Sequence, residues 1–128
     1  MSVVFDASAV LAYLRDEAGA AAVGEVLDGW VANASATPFV SAVNWIEIAQ
    51  RVTDPRTLAE LGTVLDVVPF DRDTAGIAAA LFPSTRKLGL SLADRACLAL
   101  AMQKSVPVLT ADREWVRVRL DVEIRQIR

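Results

Sequence analysis

The chain has 128 residues and a mass of 13.8 kDa, is 54% hydrophobic and 23% charged, and so fits one domain with a real core and excludes a disordered chain. Alanine supplies 22 of the residues, which favours helices more than deep packing. Thirteen Lys and Arg against 16 Asp and Glu give a net charge of −3, which excludes a broadly basic surface for nucleic acid.

Val3–Phe5 is a short apolar run with strand character that stops at Asp6. Ser8 to Arg15 and Ala18 to Trp30 read as helices, the second rich in Ala. After a Ser/Thr/Asn loop, Pro38–Ser41 reads as a brief strand and Val43–Val52 as a helix. Asp54-Pro55 is a helix start, with Asp as the N-cap and Pro in the first turn. Asp66–Phe70 is the third strand, and Asp71-Arg72-Asp73-Thr74 caps a helix that runs from Thr74 to Leu81 and ends before Pro83. Leu92–Lys104 has the strongest helical pattern, and Pro107–Thr110 and Val122–Ile127 complete the strands. Short buried-type strands separated by helices predict parallel pairing in an α/β sandwich. In such sheets ligands bind beyond the carboxyl ends of the strands, where the strand order switches.

No histidine is present, and Cys97 is the single cysteine. This excludes His metal ligands, Ser–His and Cys–His nucleophile pairs and an internal disulfide, and it suits a reducing compartment. The N-terminus lacks a basic region and reaches an acid too early for a signal peptide. The uncharged stretch from Gly29 to Ile46 is broken by Asn33, Ser35, Thr37, Pro38, Ser41 and Asn44 and cannot cross a bilayer. The expectation is a soluble cytoplasmic protein whose chemistry rests on carboxylates and hydroxyls.

Two strands end alike, the first in Asp6 and the fourth in Thr110-Ala111-Asp112, each acid with a hydroxyl nearby (Ser8 and Thr110). Singly, either Asp reads as a helix N-cap, a role that stabilises by about 1 kcal/mol. Asp94 fits a capping box with Ser91, yet it shares a helical stripe with Cys97, Leu98 and Ala101. An inward carboxylate needs a partner, and a cation is one. Glu47 falls on a wheel with Asn44, Gln50 and Arg51, opposite Trp45, Ile48, Ala49 and Val52, so spacing alone makes it a surface partner of Arg51. Four carboxylates drawn together repel by on the order of 4 kcal/mol per pair at about 4 Å, and a hard divalent ion, Mg²⁺ or Mn²⁺, removes that penalty. Metal-assisted phosphodiester hydrolysis is the natural reaction class.

The order Val-Phe-Asp6-Ala-Ser8-Ala, Asn44-Trp-Ile-Glu47, Leu-Ala-Asp94-Arg and Leu-Thr110-Ala-Asp112-Arg resembles a PIN domain, and more narrowly the VapC toxins of bacterial toxin–antitoxin pairs. The resemblance covers essentially the whole chain as a single domain over 1–128. It implies a three-layer fold with a five-stranded parallel sheet between helices, and a Mg²⁺- or Mn²⁺-dependent ribonuclease. The family's acidic quartet maps onto Asp6, Glu47, Asp94 and Asp112, which lifts Glu47 above its wheel position. Thr110 and Ser8 are implied as supporting hydroxyls, with Glu114 as a further candidate acid. The resemblance also implies a homodimer held inactive by a VapB-type antitoxin, the early helices being the region for dimer and antitoxin contacts.

Outside those four acids the chain is close to neutral, with 11 Arg and two Lys among its bases. Arg86, Lys87, Arg95 and Arg113 fall near the expected rim and are candidates for holding an RNA backbone. Tyr13, Trp30 and Trp45 suit base stacking or an interface, the two Trp better a core or interface. Two other readings stand beside the nuclease. One is a binding module of the same fold without turnover. The other is a receiver-type phospho-acceptor domain, for which Asp71 after the third strand is the supporting feature.

Overall fold

β1 (Val3–Phe5) is the strand around which the rest is laid, because its neighbours on both sides and both faces exclude water from it. In the computed structural model, which describes residues 2–32 and 36–128, it lies inside a five-stranded sheet of order β3-β2-β1-β4-β5. The others are β2 (Pro38–Ser41), β3 (Asp66–Val68), β4 (Val108–Thr110) and β5 (Ile124–Gln126), and every pairing is parallel. Residues 33–35 of the loop expected before β2 lie outside the described residues.

Alternate strand residues face opposite layers, as a period of two requires. Val3, Phe5, Val40 and Leu109 pack against α1 (Ala7–Leu14), α2 (Ala20–Ala32), α3 (Ala42–Arg51) and α4 (Pro55–Val64). Val4 and Val108 face the other way, onto α7 (Leu92–Lys104), Leu81 at the end of α5 (Arg72–Ala80), and Trp115 in the 3₁₀ turn Arg113–Arg117. The short α6 (Phe82–Thr85) and a 3₁₀ turn (Arg86–Leu88) lead from α5 to α7. Both sheet faces are therefore covered, which is the expected three-layer α/β arrangement. The order 3-2-1-4-5 also departs from the 2-1-3-4-5 order of receiver-type folds. Exposed Asp71 simply accepts the Thr74 backbone N–H at 2.9 Å as the cap of α5. The strand order overturns the phospho-acceptor reading.

Strand and helix ends differ from the sequence expectation for local reasons. β3 stops at Val68 and not Phe70, because Pro69 has no N–H for the ladder. Pro107 likewise falls outside β4. β5 is confined to Ile124–Gln126. Trp115, and not Trp30 or Trp45, is the fully buried Trp, at 1% exposure, because the turn after Asp112 folds it under the sheet. Among the described residues no helix is long and apolar enough to cross a membrane.

Phe5 is completely buried in the central strand. Phe5→Ala is expected to destabilise the fold by about 3–5 kcal/mol, measured by urea denaturation, because neighbours on both sides limit collapse of the cavity.

Candidate active site

The sheet order reverses between β1 and β4, and both strands deliver polar side chains at their carboxyl ends there. The register pairs Phe5 with Leu109, so the next residues along, Asp6 and Thr110, come side by side. The Asp6 N–H donates to the Leu109 carbonyl at 3.0 Å, extending the ladder to that point. Asp6 also occupies the N-cap position of α1, but its carboxylate makes no cap bond. It turns inward, 5% exposed, where Oδ2 accepts the Ser8 hydroxyl at 2.6 Å and the Thr110 hydroxyl at 2.9 Å. Each hydroxyl in turn accepts a backbone N–H from the β4 exit, Ala111 to Ser8 Oγ at 2.9 Å and Asp112 to Thr110 Oγ1 at 3.0 Å. Ser8 and Thr110 thus tie the Asp6 carboxylate to the loop that carries Asp112.

Asp112 and Asp94 do serve as helix-end caps. Asp112 Oδ1 accepts the Glu114 N–H at 2.9 Å at the start of the 3₁₀ turn. Asp94 completes a reciprocal box with Ser91, its Oδ2 accepting the Ser91 N–H at 2.9 Å while Ser91 Oγ accepts the Asp94 N–H at 3.1 Å. Glu47 is half-buried on α3, and its Oε1 accepts the Asn44 amide at 3.1 Å. Its expected pairing with Arg51 is not among the ion pairs of the described residues. Asn44 is fully buried and faces α7, so the polar side of α3 at this level is an interior face. The same pattern holds for all four acids. One carboxylate oxygen is fixed by a protein donor, and the other makes no hydrogen bond among the described residues.

These acids act on one another electrostatically. Burial raises the Asp6 pKa from 3.8 to about 6; the Ser8 and Thr110 hydrogen bonds oppose the rise, and the Asp94 and Glu47 charges add to it. Asp94 is raised chiefly by partial burial, against its bonds from Ser91, with Asp112 adding and Arg95 opposing. The Cys97 thiol, wholly buried beneath the rim, is held neutral by desolvation first and then by the fields of Asp6, Asp94 and Glu47. The acids stand around one region without closing on one point: among the described residues no three His, Cys, Asp or Glu side chains are gathered so as to hold a metal ion. The donor chemistry nevertheless fits a hard divalent cation. It consists of carboxylate and hydroxyl oxygens, with a buried Asp6 whose ionisation is disfavoured first by burial and then by the neighbouring acids.

The remaining candidates are dispersed. Glu114 points to solvent and pairs with Arg117 at 3.9 Å, away from the acids. Arg95, a candidate for the RNA backbone, is half-buried, with Nη1 donating to the Leu90 carbonyl at 2.9 Å and its guanidinium 5.0 Å from the Phe82 ring centre. Arg86, Lys87 and Arg113 are exposed. Asn44 had no assigned role in the sequence reading beyond its motif; its signal was an amide three residues before an acid on one helix, a spacing at which the two side chains meet.

The PIN domain family matches residues 3–120, and the chain belongs to that family. No curated protein matches its sequence. Among solved structures, it is similar to a toxin–antitoxin complex from Klebsiella pneumoniae (17% identity, TM-score 0.69, 95% of this chain and 99% of that one). It is also similar to VapBC2 from Rickettsia felis bound to a promoter DNA fragment (13%, TM-score 0.71, 98% of each chain). VapBC-1 from nontypeable Haemophilus influenzae is similar to the same degree (12%, TM-score 0.71, 99% of this chain and 98% of that one).

The Asp6 shift makes stability depend on pH. A carboxylate whose pKa rises from 3.8 to about 6 on folding binds its proton more tightly when folded, so stability falls as pH rises through that window. Above it the penalty is fully present, about 3 kcal/mol. In EDTA, Asp6→Asn is expected to flatten most of this slope and to stabilise the protein above about pH 6. Asp94, raised in the same direction, leaves a smaller residual slope. Urea denaturation across the pH range measures both.

Proposed function

We propose that this chain, folded as one PIN domain, is a Mg²⁺- or Mn²⁺-dependent endoribonuclease and the toxin of a VapBC-type pair. The observation that carries the reading is the set of unclaimed oxygens: among the described residues Asp6, Glu47, Asp94 and Asp112, from four separate elements, each have one carboxylate oxygen that makes no hydrogen bond, and Asp6 lies where the strand order switches. Asp6, Asp94 and Asp112 would hold the ion, with Glu47 as a further ligand or as the group that orients the attacking water. When bound, the ion supplies Lewis acidity toward the phosphodiester and relieves the repulsion among the acids. Ser8 and Thr110 keep Asp6 Oδ2 occupied, so that its Oδ1 is the oxygen presented. Water attacks phosphorus and the bond to the 3′ oxygen breaks, leaving 5′-phosphate and 3′-hydroxyl ends. Exposed Arg86, Lys87 and Arg113 meet the RNA backbone, while Arg95, anchored at Leu90, adds positive charge beside Asp94. Affinity through so few cations is modest, and its salt dependence is correspondingly shallow.

The partner reading is a VapB-type antitoxin. A groove of about 240 Å³ between α1, α2 and α4 is lined by Tyr13, Leu27, Val31 and Leu61, with Asp28 and Glu60 beside them. An amphipathic segment with basic flanks would fit it. The homodimer contacts are assigned to the same early helices, where Tyr13 and Val31 are exposed. The reading places the protein in the cytoplasm with its RNA substrate.

A second reading, a PIN-fold binding module without turnover, is favoured by one observation, the lack of a gathered three-acid group among the described residues. Two measurements separate them. Purified protein supplied with Mn²⁺ is expected to cut RNA to 5′-phosphate ends, with EDTA abolishing cleavage and Asp6→Asn or Asp94→Asn lowering it by about 100-fold or more. Calorimetry showing no Mn²⁺ uptake at millimolar concentration, together with no cleavage, selects the binding module.

A further inference from the structure

We infer that Asn44 is a positioning residue: one buried amide sets Glu47 against the first turn of α7 and so holds the distance between Glu47 and Asp94. This rests on the reading of those acids as a metal site. Asn44 is 0% exposed. Its Nδ2 donates both protons, one to Glu47 Oε1 at 3.1 Å on its own helix and one to the Ala93 carbonyl at 3.2 Å on α7. Both partners are acceptors, so the amide has one satisfactory orientation; turning it over would face oxygen to oxygen twice. Ala93 is the residue immediately before Asp94, so the side chain spans the two acids' supports.

The opposite end of the same side chain shows that packing is not its purpose. Asn44 Oδ1 is buried and has no hydrogen-bond partner. An orphaned acceptor of this kind is destabilising, and an apolar residue of similar volume would avoid that cost. A residue retained for stability alone would be better as Leu. The cost is offset where the amide donors are needed, at a carboxylate that must present its other oxygen in a fixed direction.

The test measures binding of Mn²⁺ alone by calorimetry, with melting in EDTA as the stability control. Asn44→Leu is expected to melt at or above the wild-type temperature yet bind Mn²⁺ about 10- to 100-fold more weakly. Asn44→Ser, which keeps one donor proton and carries the test if the Leu variant does not fold, is expected between the two. Placed on Glu47→Gln, either substitution should cause little further loss, since it acts through that carboxylate. Wild-type affinity in both variants, or full additivity with Glu47→Gln, overturns the positioning role while leaving the metal site intact. A wild-type protein that takes up no Mn²⁺ overturns the metal reading and this inference together.

Discussion

A carboxylate almost sealed from water at the junction of two parallel strands is the constraint on which the rest of the molecule turns. Asp6 is placed there by the ladder itself, since β1 and β4 pair up to Phe5 and Leu109 and the next residue on β1 has nowhere to go but the rim. Its burial disfavours the charge. Two hydroxyls moderate this without cancelling it, so the folded protein carries an electrostatic debt at this point. Positive charge brought to the rim lowers the energy of the whole assembly, and a divalent ion brings the most in the least space.

The surrounding elements make sense as supports for that arrangement. Helix starts place Asp94 and Asp112, and each acid stabilises its own helix end with one oxygen. Capping therefore leaves one oxygen of each carboxylate without a hydrogen bond among the described residues, and a structural role for an acid is no argument against a chemical one. Ser8 and Thr110 tie β1 to the β4 exit, so that Asp6 and Asp112 move as a unit. Glu47 lacks such a cap and depends on Asn44, which makes its position the one most open to perturbation by substitution outside the acids.

Much of this was legible from residue order. Strand runs ending in Asp6 and Asp112 located the rim, and the Ser91–Asp94 spacing announced the capping box that the structure contains. The inward stripe of Asp94, Cys97, Leu98 and Ala101 is likewise present, with the latter three fully buried. Glu47 was not legible, because a helical wheel divides polar from apolar and takes polar for solvent. α3 has two buried arcs, Ile48 against one core and Asn44 against α7, and only tertiary packing reveals the second. The half-buried setting of Arg95 is equally a product of tertiary packing, which brings its guanidinium to a carbonyl and an aromatic ring. Trp115 escaped notice since it lies in a 3₁₀ turn that leaves no periodic signature.

The hydrogen bond between Asp6 and Thr110 joins residues 104 apart in the chain. The strand that completes the far side of β1 is translated long after β1 itself. A polypeptide still emerging from the ribosome, or one cut short before β4, holds Asp6 without Thr110 or Asp112. The rim is therefore complete only once β4 has emerged. Were the product injurious to the cell that makes it, partial copies would be inert by construction.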